Sequence, residues 1–147
     1  MREFLFRAKS KEEDKWTYGS LQCFKGFSIF DEIWKNFIPV NRDTIGQYIN
    51  IDDKNSKKIF EGDIVRFRGY YQEPHWIGTV TYDERNALYL FVGVMPYRYD
   101  SRHESDFEVQ ISSKDKSTFE ILGNKWDNPE LLGEEGYTNV LFERDGT

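Results

Sequence analysis

Between Asp63 and Val94 the chain reads "DIVRF", "WIGTVTYD" and "ALYLFVGV", three short runs in which β-branched and aromatic residues fall at alternate positions or nearly fill the run. Alternation suits a strand, whose successive side chains point to opposite faces, and turn-length breaks such as "ERN" make the runs a meander with no room for a long helix. The same pattern predicts strands at 4–8, 45–51, 58–60, 63–69, 76–83, 87–94, 107–111, 119–122 and 139–142. Helix is confined to two short pieces. "FDEIWKNF", Phe30 to Phe37, reads as an amphipathic turn or two, and "NPELL" offers Asn128 as cap, Pro129 at the first helical position and Glu130 next.

Five short strands after a Gly-Asp corner predict a mainly β protein built on an SH3-like small barrel at 58–125, with an OB-type barrel as the nearest alternative. A β-rich arm at 1–57 precedes it and an acidic segment at 126–147 follows. The chain has 147 residues, enough for one compact unit, and its 12 Phe, 9 Tyr and 4 Trp predict an aromatic core. Cys23 is the one cysteine, so no internal disulfide forms. The first residues lack the apolar run of a signal peptide and no stretch is apolar enough to span a membrane, so the expected location is the cytoplasm.

Charge narrows the partners. The net is −6, with 6 acidic and 1 basic side chains in 126–147, which disfavours general duplex binding and leaves the balanced remainder free to carry a local basic face. No Gly-rich phosphate loop, nucleophile elbow or C-x-x-C is present, and neither His75 nor His103 has a ligand-spaced companion. "IDDKNSK" holds Asp52, Asp53 and Asn55 but lacks the Gly and terminal Glu of an EF-hand loop. The expectation is therefore a protein that is not an enzyme, with no catalytic residues, metal or cofactor.

Two binding surfaces can be read from the residues. In an extended "DIVRFRGY", Val65 and Phe67 point inward while Arg66, Arg68 and Tyr70 share the outer side; Tyr97, Arg98, Tyr99 and Arg102 form a second basic and aromatic cluster. Arginine with tyrosine can hold a phosphate backbone and stack on bases, so these seven are the candidate single-stranded nucleic-acid site. A solvated strand face beside a loop whose rings close over the barrel mouth is the reading that carries more weight for them. The other surface is "FKGFSIFDEIWKNF", where Phe24, Phe27, Phe30, Trp34 and Phe37 exceed what one short element can bury, and such residues concentrate at protein interfaces. They are the candidate contact with another copy of the chain or with a different protein, and an ordinary extension of the core accounts for them equally well.

"DTIGQYINIDDKNSKKIFEGDIV", 43–65, and "FEILGNKWDNPELL", 119–132, stand in the order and spacing that make the chain resemble the YopX family, small proteins of phages and prophages of Gram-positive bacteria. The resemblance implies a phage or lysogen setting and brings neither a mechanism nor catalytic residues; with the aromatic excess of 24–37 and the missing catalytic motifs, the expectation is a non-enzymatic accessory protein acting through protein interaction, in an oligomer. Nucleic-acid binding is the alternative. Family members carry Thr-Gly where this chain has Ile49-Asn50 and Asn-Gly where it has Asn55-Ser56. A turn at either place must then take a positive φ without glycine or avoid it.

The order in 47–67 has a conformational reading. Asn55-Ser56 suits a tight hairpin and Gly62 a left-handed corner, with Glu61 and Asp63 as turn residues and not as an acid-base pair.

Overall fold

The computed structural model describes residues 1–68, 75–94, 107–112 and 119–133, and the chain divides into two units, Met1–Asn50 and Ile51–Thr147. The protein is mainly β, as the alternation requires. Its strands are β1 (Phe6–Lys9), β2 (Trp16–Gln22), β3 (Ser28–Asp31), β4 (Asn36–Pro39), β5 (Gly46–Asp52), β6 (Lys58–Phe60), β7 (Asp63–Arg68), β8 (His75–Asp83), β9 (Leu88–Val94), β10 (Phe107–Gln110) and β11 (Phe119–Asn124). Short 3-10 turns occupy Arg42–Thr44 and Pro129–Leu132. The expected strand at 139–142 lies outside the described residues.

In the first unit the sheet order is β4-β3-β2-β1-β5, antiparallel throughout. One face buries Ala8, Ile29 and Val40, with Phe6, Leu21, Phe27 and Ile45 packed on them. The end of β4 returns to the end of β1: Ser10 bridges Val40, Lys11 N donates to Pro39 O at 3.0 Å, and Asn41 N donates to Lys9 O at 2.8 Å.

The helical expectation for 30–37 fails, because Asp31 directs the chain into a hairpin. Its Oδ1 accepts from Ile33 N and Trp34 N, both at 2.9 Å, and Lys35 takes φ 53°, which reverses the backbone between β3 and β4. Phe30 and Phe37 thereby become cross-strand partners with ring centroids 5.1 Å apart. At "NPELL" a short helical turn does form, although Asn128 does not cap it; its Oδ1 accepts from Asn124 N at 3.2 Å.

In the second unit the order is β10-β9-β8-β7-β11, again antiparallel. Val65, Val80, Phe67, Phe91 and Phe119 are buried, and the three rings are mutually packed at centroid distances of 5.0 to 6.0 Å. Rings this close gain about 0.5–1.5 kcal/mol per pair beyond the area they bury. This sheet is not a closed barrel, so the SH3-like and OB-type closures are both corrected. Closure needs β10 to pair with β11, and the outer edge of β11 is already occupied: Lys54 N donates to Phe119 O at 2.9 Å and Ile121 N to Asp53 Oδ2 at 3.0 Å.

That occupation explains the ordered stretch. Asp53 is buried, and its Oδ1 also accepts from Asn55 N (2.8 Å) and Lys57 N (2.9 Å), so one carboxylate closes the hairpin loop and fastens it to β11. Ser56 completes the turn at φ 62°. At the next corner Gly62 has φ 88° and the Trp126 ring lies where its Cβ would stand, while Lys125 N donates to Gly62 O at 2.9 Å. Asp63 is buried, not solvated, and accepts Phe60 N at 2.8 Å. The 43–65 and 119–132 motifs thus meet in space through residues that hold backbone.

Candidate interaction surface

On β7, Val65 and Phe67 are buried and Arg66 takes the opposite side, the alternation read from the sequence. Arg66 does not present a free charge. It forms an ion pair with Glu120, opposite it on β11, and Lys54 Nζ reaches the same carboxylate at 2.9 Å. Burial acts to raise the Glu120 carboxyl, but hydrogen bonds from Arg66 and Lys54, with their positive charges, outweigh it and hold the group below the usual carboxylate range. Arg68 continues β7 opposite His75. Tyr70, Tyr97, Arg98, Tyr99, Arg102 and His103 lie outside the described residues.

The five aromatic residues of 24–37 divide by environment. Phe27, partly buried, packs on the core of the first unit with the Arg42 guanidinium 5.3 Å from its ring centroid. Phe30 is half-buried against Phe37. Phe24, Trp34 and Phe37 are 74%, 76% and 54% exposed, and Ile33 beside them is 84% exposed. Ile33, Trp34 and Phe37 gather on the β3–β4 hairpin, whereas Phe24 sits in the β2–β3 connection. Nothing in the sequence separated Ile33 from an ordinary core residue while the segment read as a helix.

The strand register defines the face that carries Phe37. Phe37 pairs with Phe30 and Phe30 with Ser20, while Tyr18 pairs with Arg7 and Trp16 with Lys9, so all these residues share one side of the sheet, opposite the apolar core. Arg7 and Lys9 stand 4.7 and 5.6 Å from the Trp16 ring centroid, and Tyr18 is half exposed. The sequence reading missed this aromatic face because β2, β3 and β4 were not recognised as neighbouring strands.

Asp53 and Asp63 are committed to backbone donors, and among the described residues no group of three or more His, Cys, Asp or Glu could hold a metal ion. No described helix is long and apolar enough to cross a membrane. No curated protein matches the chain. The family model described as YopX protein matches residues 5–133, nearly all of the described region and both motifs that interlock in the second unit. YopX is not a known enzyme family. The chain belongs to the YopX family.

Proposed function

We propose that this protein is a non-enzymatic accessory protein of a phage or prophage that acts in the host cytoplasm by binding protein, and that it binds through the β3–β4 hairpin of its first unit. The observation that carries this reading is the group Ile33, Trp34 and Phe37, largely exposed on one hairpin of a unit that has its own buried core. Three large apolar side chains exposed on one hairpin, on a unit that buries Ala8, Ile29 and Val40, support a contact surface there. The nucleic-acid reading has less support, since the Arg66 charge is met by Glu120.

A photo-crosslinking side chain placed at Trp34, compared with one at exposed Glu84, tests the reading in cells carrying the phage or prophage. Protein adducts at position 34 and none at 84 are expected. Adducts at neither position, or equally at both, refute it.

A further inference from the structure

We infer that the outer edge of β10 is an interface between two copies of the chain, paired antiparallel about a two-fold axis at Val109. The inference concerns the second unit and goes beyond the hairpin reading, which it neither needs nor replaces. Its starting point is the direction of the backbone groups on β10. Ile111 N donates to Tyr89 O at 3.0 Å, so Ile111 faces β9. Backbone groups of alternate residues in an antiparallel strand face the same edge, so Val109, opposite Phe91, faces β9 as well. The N–H and C=O of Glu108 and of Gln110 therefore point away from the sheet. β10 is the last strand on that side, and among the described residues no backbone group bonds to them.

At the other end of the same sheet the chain covers its own edge, with Lys54 N on Phe119 O and Asp53 Oδ2 on Ile121 N. On β10 two outward donors and two outward acceptors are left, at the spacing that an added strand needs. A second β10 supplies the same groups in reverse. With the axis at Val109, Glu108 lies opposite the partner's Gln110 and exchanges both N–H···O bonds with it, and Gln110 does the same with the partner's Glu108, four bonds in all. The interface is isologous, and with the β11 edge covered in each copy the assembly closes at two.

Charge selects this register. Glu108 is the one ionisable side chain on β10, and both it and Gln110 are exposed. An axis at Glu108 sets two carboxylates opposite each other, and an axis at Gln110 leaves Glu108 opposite Ser112, beyond the end of the strand. At Val109 each carboxylate instead meets an amide that can donate to it. The half-buried Val109 shares the side of the buried Phe91, so the two Val109 side chains meet there and the pair covers apolar surface as well as backbone. A strand this short makes a small interface, and the dimer should dissociate on dilution.

Sedimentation of the full chain over a hundredfold concentration range should show a monomer–dimer equilibrium. Gln110→Lys should tighten it and Gln110→Glu weaken it, each by roughly 2- to 30-fold in the dissociation constant, since two cross-strand pairs change per dimer. Gln110→Pro removes an outward N–H, leaves the bonds to β9 in place, and should give monomer alone. In a Cys23→Ser background, Val109→Cys should form an intermolecular disulfide on mild oxidation, because a non-hydrogen-bonded pair places Cα atoms about 4.5 Å apart, within disulfide range. Glu84→Cys, exposed in the turn between β8 and β9, should not. The lysine and glutamate variants keep the test valid if Gln110→Pro fails to fold. A monomer at every concentration overturns the inference, and so does a dimer that responds alike to lysine and glutamate at position 110 or that Val109→Cys does not link. Adducts at Trp34 with a monomeric chain would retain the hairpin reading and reject this one; a dimer linked at position 109 without adducts at 34 would do the reverse.

Discussion

Restoring glycine at the two positions where YopX relatives are expected to carry it should change stability in opposite directions. Asn50 has φ 63° and Ser56 φ 62°, so both residues occupy the left-handed region. For an ordinary L-residue that conformation costs about 1–2 kcal/mol, whereas glycine bears no such penalty but adds about 0.4–1 kcal/mol of unfolded-state entropy. Ser56 is exposed, so Ser56→Gly should stabilise by about 0.5–1 kcal/mol. Asn50 differs because its side chain holds the N-terminal segment: Oδ1 accepts Glu3 N at 2.7 Å and Nδ2 donates to Glu3 O at 3.0 Å. Asparagine also tolerates the left-handed region better than serine, so the gain is smaller. Losing two exposed hydrogen bonds at the low end of about 0.5–1.5 kcal/mol each leaves Asn50→Gly destabilising by about 0.5–1 kcal/mol. Urea unfolding followed by tryptophan fluorescence reads both, since Trp16 and Trp34 lie in the first unit and Trp76 and Trp126 in the second. With a slope of about 2 kcal/mol per molar, the midpoints should move by about 0.3–0.5 M, upward for Ser56→Gly and downward for Asn50→Gly. Shifts of the same sign would refute the reasoning.

Three further outcomes follow from the second unit. Asp53→Ala strands three backbone donors, two in the hairpin loop and Ile121 N on β11, and should destabilise by about 2–4 kcal/mol in a thermal or urea melt; a loss below about 0.5 kcal/mol would contradict the role given to that carboxylate. Glu120 is held below its ordinary value of 4.5, so its contribution is present above that pH and fades as pH falls through the lower folded value. Glu120→Gln should flatten that acid loss by no more than about 1 kcal/mol, the groups being partly exposed, and an unchanged pH profile would count against the pairing. Arg66→Ala should lower stability by leaving Glu120 short of a partner, with no change in the fluorescence anisotropy of labelled single-stranded DNA or RNA. Salt-sensitive binding lost in that variant would reinstate the nucleic-acid reading.

What could be read from the chain depended on how local the cause was. The meander β7–β9 was legible because "IVRF", "IGTVTY" and "LYLFVGV" carry their own period and their connections are short. The positive φ at Gly62 and the strain at Ser56 were legible because glycine and its replacement act on their own backbone. The β3–β4 hairpin was hidden: in "FDEIWKNF" the apolar spacing imitates a helix, and only the bonds from Asp31 to Ile33 and Trp34 decide for a turn. Open versus closed was not legible, because the edge of β11 is taken by Asp53, 68 residues earlier in the chain. The same distance problem hid the site. Arg66 looked free until Glu120, 54 residues later, was placed beside it.

The bond from Ile121 to Asp53 also sets a clock. The hairpin loop is synthesised 68 residues before the strand it covers, which at about 5–20 residues per second is roughly 3–14 s of translation. Throughout that interval Asp53 Oδ2 and Lys54 N lack their β11 partners, and β7 emerges without its outer neighbour. Shielding of the nascent sheet therefore falls to the growing chain's surroundings until "FEILGNKW" arrives, and a premature stop anywhere in the preceding stretch releases a product whose β7 side is bare. For this fold, the edge of β7 is covered only once β11 has been made.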